Sequence, residues 1–199
     1  CDWSSDVCSS DLVTVFVNDD TIGREWVETT DGRTRIIRFT HRVDTLPTCL
    51  GYTASVSRKL SEVIESFIRV EGPPDVIESQ EFLGLPYFLL QKKRTLWADL
   101  HNVPIVVTLH SPTFVCKKIN QEPVYRLPDY WIGEMERFCI RAADLVISPS
   151  RYLVDEIQRS MEWGDAVPAI IPHPFEMSMG LSNNSSRAVS TDGDRKSTR

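Results

Sequence analysis

Two short apolar runs set between helical patterns constrain this chain more than any other feature. Ile105–Leu109 (IVVTL) and Leu145–Ser148 (LVIS) each have the length of a buried strand. Between them Ile132, Met135, Cys139 and Ala142–Ala143 trace one apolar stripe at helical spacing. A second helical pattern follows Ser148-Pro149-Ser150, where Ser148 or Ser150 can cap its start. Strands alternating with helices indicate an α/β fold with a parallel, doubly wound, Rossmann-like sheet. In such sheets ligands bind at the carboxyl ends of the strands. His110 follows the first run immediately, so it is expected at that rim.

The rest of the chain continues the pattern. Val13–Val17 (VTVFV) reads as a buried strand, and Arg35–Phe39 (RIIRF) as a second, after the polar turn at Asp31-Gly32. Val56, Leu60, Val63, Ile64, Phe67 and Ile68 share one helical face, and Gly72-Pro73-Pro74 ends that helix. Asp75–Ser79 (DVIES) reads as the next strand. Pro86 suits the first turn of a helix that reaches about His101. His110–Leu127 shows no period, and so long an irregular stretch reads as a functional loop or lid. Ala169–Ile171 reads as the last strand. Beyond Met179 the Ser/Asn-rich run reads as linker.

Candidate site residues follow from the rim rule. Ser111 and Thr113 come just after His110 and could bind a ligand hydroxyl or phosphate, or simply form a turn. Glu78, Ser79, Gln80 and Glu81 come after the preceding strand and should face the same cleft. A Glu78/Glu81 carboxylate pair also suggests glycoside hydrolysis, which needs two flanking acids. Acids in adjacent loops of such a sheet are more often solvated or bound to sugar hydroxyls, and that is the expectation here. His41 and His101 have no ligand-like neighbours, and no His, Cys and Asp set has metal-ligand spacing, so no metal is expected. Lys117, Lys118 and Arg126 add positive charge beside the cleft, as solvated side chains or as an attraction for an anionic acceptor. No G-x-G-x-x-G follows any strand and no P-loop is present, which weighs against a dehydrogenase or NTPase.

The segments VPIVVTLH (Val103–His110), ERFCIRAADLVISPS (Glu136–Ser150) and AIIPHPFE (Ala169–Glu176) together carry a family resemblance. They resemble the N-terminal half of a retaining glycosyltransferase of the GT-B type, in the large family 4 of sugar-nucleotide-dependent enzymes. The resemblance covers roughly Val13 to Glu176, within a domain expected over residues 13–178. It implies an acceptor-side domain that works with a nucleotide-sugar as co-substrate, without metal or cofactor. It implies that His110 is the catalytic candidate and contacts the transferred sugar. It assigns Ser111, Thr113, Glu78 and Gln80 to acceptor binding, Glu78 or Gln80 standing where relatives often have histidine. It also implies that a first strand, a Gly-rich loop and a long helix are missing ahead of Val13, and that the donor-binding domain, with its pair of spaced glutamates, is missing downstream. His173-Pro174 stands where relatives tend to have Asn-Gly, and Glu176 at their acid. Proline forbids the positive φ such a turn uses, so this turn should differ.

Both ends read as something other than selected protein. Cys1–Leu12 (CDWSSDVCSSDL) resembles a translated sequencing adapter, and Asp194–Arg199 (DRKSTR) matches the reverse complement of the same adapter in one frame. The expectation is an artefact over residues 1–12, a linker and artefact over 179–199, and a fragment incapable of transfer by itself.

The composition suits a cytoplasmic globular protein. Of 199 residues 41% are hydrophobic and 25% charged, enough to bury a core. A net charge of -6 argues against nucleic acid as a partner. Setting aside Cys1 and Cys8, the cysteines Cys49, Cys116 and Cys139 are odd in number and scattered, as expected of reduced thiols. The expected partners are a nucleotide-sugar donor and an unknown glycosyl acceptor. Contact with a membrane surface follows only if that acceptor is a lipid. The competing reading is a non-catalytic binding or regulatory domain of the same fold.

Overall fold

The computed structural model describes residues 12–42, 51–95, 97–163 and 167–173. Strands β1 (Val13–Asn18), β2 (Trp26–Asp31) and β3 (Thr34–Phe39) form a small sheet in the order β1-β3-β2. β1 runs parallel to β3 and β2 antiparallel to it. Helix α1 (Gly51–Glu71) follows. Strands β4 (Ile77–Gln80), β5 (Ile105–Thr108), β6 (Leu145–Ser148) and β7 (Ala169–Ile170) then form a second sheet in chain order, with every neighbouring pair parallel. Helices α2 (Tyr87–Arg94), α3 (Thr113–Ile119), α4 (Asp129–Ala142) and α5 (Arg151–Gln158) fill its crossovers. This is the expected Rossmann-like α/β arrangement, a parallel four-stranded sheet flanked by helices, while β1 and β3 pair in a separate sheet with the antiparallel β2.

Burial follows the apolar pattern in the second sheet and on α1, but β1, read as a buried strand, exposes Val13, Val15 and Val17, and only its other face is partly covered. Ile105, Val107, Leu109 and Val146 are sealed from water, as strands covered on both faces require. On α1 the predicted face is buried at Val56, Leu60, Val63, Ile64 and Ile68. Phe67, at its edge, packs edge-on against Phe16 of β1 at 5.6 Å between ring centres. Cys139 is fully buried and is a core residue, as its place on the α4 stripe indicated.

The elements depart from expectation in five places. β2 is not among the expected strands: WVETTD ends in four polar residues, and Trp26, Glu28, Thr29 and Thr30 are exposed, so it carries no buried-strand signal. It pairs with β3 across the Asp31-Gly32 turn, where Gly32 has a positive φ of 59°. β4 begins at Ile77 and ends at Gln80, later than the expected Asp75–Ser79. The helix opened by Pro86 stops at Arg94 and resumes as a single tight turn at Ala98–Leu100. The stretch read as an irregular loop holds α3, whose Phe114 and Val115 are buried. At seven residues α3 is too short to show a period. β7 ends at Ile170, one residue early.

At the amino end of the second sheet a charge pair ties strands to helices. Lys93 of α2 is nearly buried and its Nζ lies 2.5 Å from Oδ2 of Asp144, just before β6. It also donates to the carbonyl of Val103. The same Asp144 oxygen accepts the Ile105 amide at 2.7 Å. Each charge thus has a partner, which is what makes burial of a lysine tolerable.

Candidate functional site

The carboxyl rim of β4–β7 is built by register. Gln80 lies opposite Thr108, and Thr108 opposite Ile147. The next residues along, Glu81 and Leu109, therefore leave the sheet side by side. Leu109 still donates its amide to Ile147 at 2.7 Å. His110 comes one residue later and is exposed, as the rim rule predicted. Its imidazole makes no hydrogen bond among the described residues, so it does not cap its strand through the side chain.

The backbone beneath it is held from inside. Glu81 is completely buried. Its two carboxylate oxygens accept the His110 amide at 2.9 and 2.7 Å, and one of them also accepts the Ser111 amide at 2.8 Å. The expectation that Glu81 would be solvated or free for sugar hydroxyls is therefore wrong. The carboxylate turns inward because two successive amides at the strand exit form a concave donor site that an anion fills well.

A second buried acid, Glu136 of α4, does the same further along. Oε1 accepts the Thr113 hydroxyl at 2.7 Å and the Leu83 amide at 3.0 Å, while Oε2 accepts the Phe114 amide at 3.4 Å. Leu83 has a left-handed φ of 57°, unusual for a side-chain-bearing residue. Gly84 next to it has a φ of 63°, and a Cβ there would lie 2.5 Å from Cβ of Met135. Glu136 and the bare Gly84 together allow the turn after β4 to press against α4. Nothing in the sequence reading singled out Glu136. The available signal was its place on the apolar stripe, one turn beyond Ile132.

Neither acid has a cation partner among the described residues. Burial, the largest cause, raises the Glu81 carboxyl to about 7, and the amide hydrogen bonds only partly oppose this. Burial also raises Glu136, against its hydrogen bonds from Thr113, Leu83 and Phe114.

The other candidates are spread along the rim. Glu78 and Gln80 lie within β4 rather than after it, both on its exposed face. Glu78 accepts the Thr108 hydroxyl at 2.7 Å. Ser111 is half-buried, whereas Thr113 directs its hydroxyl proton inward to Glu136. Ser148, fully buried, bonds with the backbone of Ser150, and Ser150 caps α5 by accepting the Leu153 amide. His173 is exposed beyond β7. Pro174 and Glu176 lie outside the described residues, as do Cys49 and residues 1–11 and 174–199. Lys117 is tied to Glu122 and Asp129 at 2.9 Å each, which uses up much of the positive charge expected beside the cleft.

The sequence model of Glycosyltransferase Family 4 matches residues 12–176. The chain belongs to that family. The match spans all seven strands and includes every candidate rim residue from Glu78 to His173. Membership of Glycosyltransferase Family 4 implies a transferase-type enzyme that handles a sugar donor and an acceptor. No curated protein matches the chain. No helix among the described residues is long and apolar enough to cross a membrane.

Proposed function

We propose that the chain forms the acceptor side of a glycosyltransferase that moves a sugar from a nucleotide-sugar donor with retention of configuration. The observation that carries this reading is the exposed His110 at the rim of the buried strand β5, on a loop whose backbone is fixed by internal acids. Retaining transfer has to stabilise the departing phosphate, hold an oxocarbenium-like sugar and aim the acceptor hydroxyl at one face of the anomeric carbon. An imidazole N–H on a fixed backbone can donate a hydrogen bond to a hydroxyl of that sugar. Because the backbone is already in place, little ordering remains to be done as charge develops.

Ser111 is the better hydroxyl for the acceptor, since Thr113 has its proton committed to Glu136. Glu78 and Gln80 line the open face of β4 and can bind acceptor hydroxyls. In this reading the nucleotide-sugar is a co-substrate and no resident metal or cofactor takes part. The protein works, in this reading, in the cytoplasm. An acceptor of lipid character would bring it to a membrane surface.

The test is transfer from a panel of nucleotide-sugars by the full reading frame, with the anomeric configuration of the product read by NMR. A retained configuration that depends on His110 supports the proposal. An inverted product, or full turnover without the imidazole, overturns it.

A further inference from the structure

The two buried acids at the rim have one property in common that folding alone does not demand. Every group they accept from lies in the exit loop of β5 (His110, Ser111), in the first turn of α3 that follows it directly (Thr113, Phe114), or in the turn after β4 (Leu83). A glutamine could fill the same volume without the cost of burying a charge. Its single carbonyl oxygen, however, could not accept the His110 amide on two oxygens and the Ser111 amide as well.

We propose that Glu81 is the positioning residue for His110: its ionised carboxylate grips the two amides at the exit of β5 and so fixes the direction in which the imidazole is presented to the cleft. Glu136 braces the far end of that loop, where Thr113 and Phe114 begin α3, and holds the turn that delivers Glu81. The functional half of this statement rests on the glycosyl-transfer reading of His110. The geometric half stands without it.

The grip depends on charge, because an amide binds a carboxylate more strongly than a neutral acid. Since the Glu81 carboxyl lies at about 7, the clamp tightens as pH rises through neutrality. The titratable groups facing Glu81 are Glu136 and the Cys139 thiol from α4, the Cys116 thiol from α3, and His110 itself across the loop. Burial pushes both thiols up, so they stay protonated over this range. Glu136 can share the titration, which then belongs to the pair.

The experiment is an NMR pH titration of the isotopically labelled full chain, without any substrate. It follows the backbone amides of His110 and Ser111 together with the side-chain carboxyl carbons of Glu81 and Glu136. The proposal expects both amide protons to move downfield with rising pH, with the midpoint of the Glu81 carboxyl carbon. In Glu81→Gln that titration should vanish, the order parameter of the His110 amide should fall, and exchange of both amides should speed up roughly tenfold or more. Amides that do not titrate overturn the proposal. So does a titration of both amides that survives unchanged in Glu81→Gln. If Glu81→Gln does not fold, the wild-type midpoints still decide: different midpoints for the amides and the Glu81 carboxyl carbon overturn the clamp. Because no sugar is present, such a failure would leave the glycosyl-transfer reading untouched.

Discussion

The two ends of the parallel sheet bury charge in opposite ways. At the amino end Lys93 and Asp144 neutralise each other and tie β5 to α2 and to the α4–β6 junction. At the carboxyl end Glu81 and Glu136 have no cation among the described residues and are answered only by amides and a hydroxyl. The first arrangement joins elements that must not move. The second leaves a net negative charge under a loop, at a cost in stability that grows as the acids ionise. Among the described residues of the parallel sheet, the uncompensated pair sits at the carboxyl end, and perturbed buried acids of this kind cluster at functional sites.

The largest expected effect falls on the amino end. Lys93→Ala leaves the Asp144 carboxylate without its cation and removes a packed stem. It should cost about 3–4 kcal/mol in urea unfolding, the lower part of the range for broken buried pairs because Asp144 is one-third exposed. A loss below about 1 kcal/mol would show that the amino end is no firmer than the rim.

Next comes the pH dependence of the rim. Glu81 has a folded value raised to about 7 from 4.5, so the folded state holds the extra proton between those values. The stability it contributes is therefore fully present below about pH 4.5 and is lost as pH rises through about 7. At ~1.4 kcal/mol per unit the difference is about 3 kcal/mol. Glu136 acts in the same direction. The measurement is the unfolding free energy of wild type minus that of Glu81→Gln at acid and at alkaline pH. Wild type should lose ground to the variant as pH rises. A flat difference would mean that Glu81 is not buried as described. The same ionisation that weakens the fold strengthens the loop clamp, so stability and grip should move in opposite directions.

Gly84→Ala tests how closely the rim turn is packed. Its positive φ and the 2.5 Å approach to Met135 should together cost about 2–3 kcal/mol in thermal unfolding. A neutral substitution would show that the turn carrying Glu81 is not pressed on α4.

The sequence shows the frame of this protein clearly and its supports poorly. β5 and β6 are legible because strands covered on both faces need continuous apolar runs, and IVVTL and LVIS are such runs. α1 and α4 are legible because a helix against a sheet needs an apolar stripe. β2 is not, since most of its residues face water and its partner is a hairpin neighbour. α3 is not, since seven residues hold too few turns to repeat. His110 could be placed at the rim from its position after β5. Glu81 and Glu136 could not, because acids are rarely buried and nothing local shows which amides they meet across about 30 and 20 residues of chain.

His110 should have the smallest effect on stability and the largest on activity, and its removal tests the account most directly. In the full reading frame, His110→Ala should unfold within about 0.5 kcal/mol of wild type, because the side chain is exposed at a strand end. Its kcat should fall by the equivalent of about 2–4 kcal/mol, the loss expected for one preorganised donor to a transition state. Steady-state kinetics beside thermal unfolding decide the matter. Normal turnover, or a loss of activity that only tracks unfolding, would contradict the account and leave the rim histidine as a surface residue.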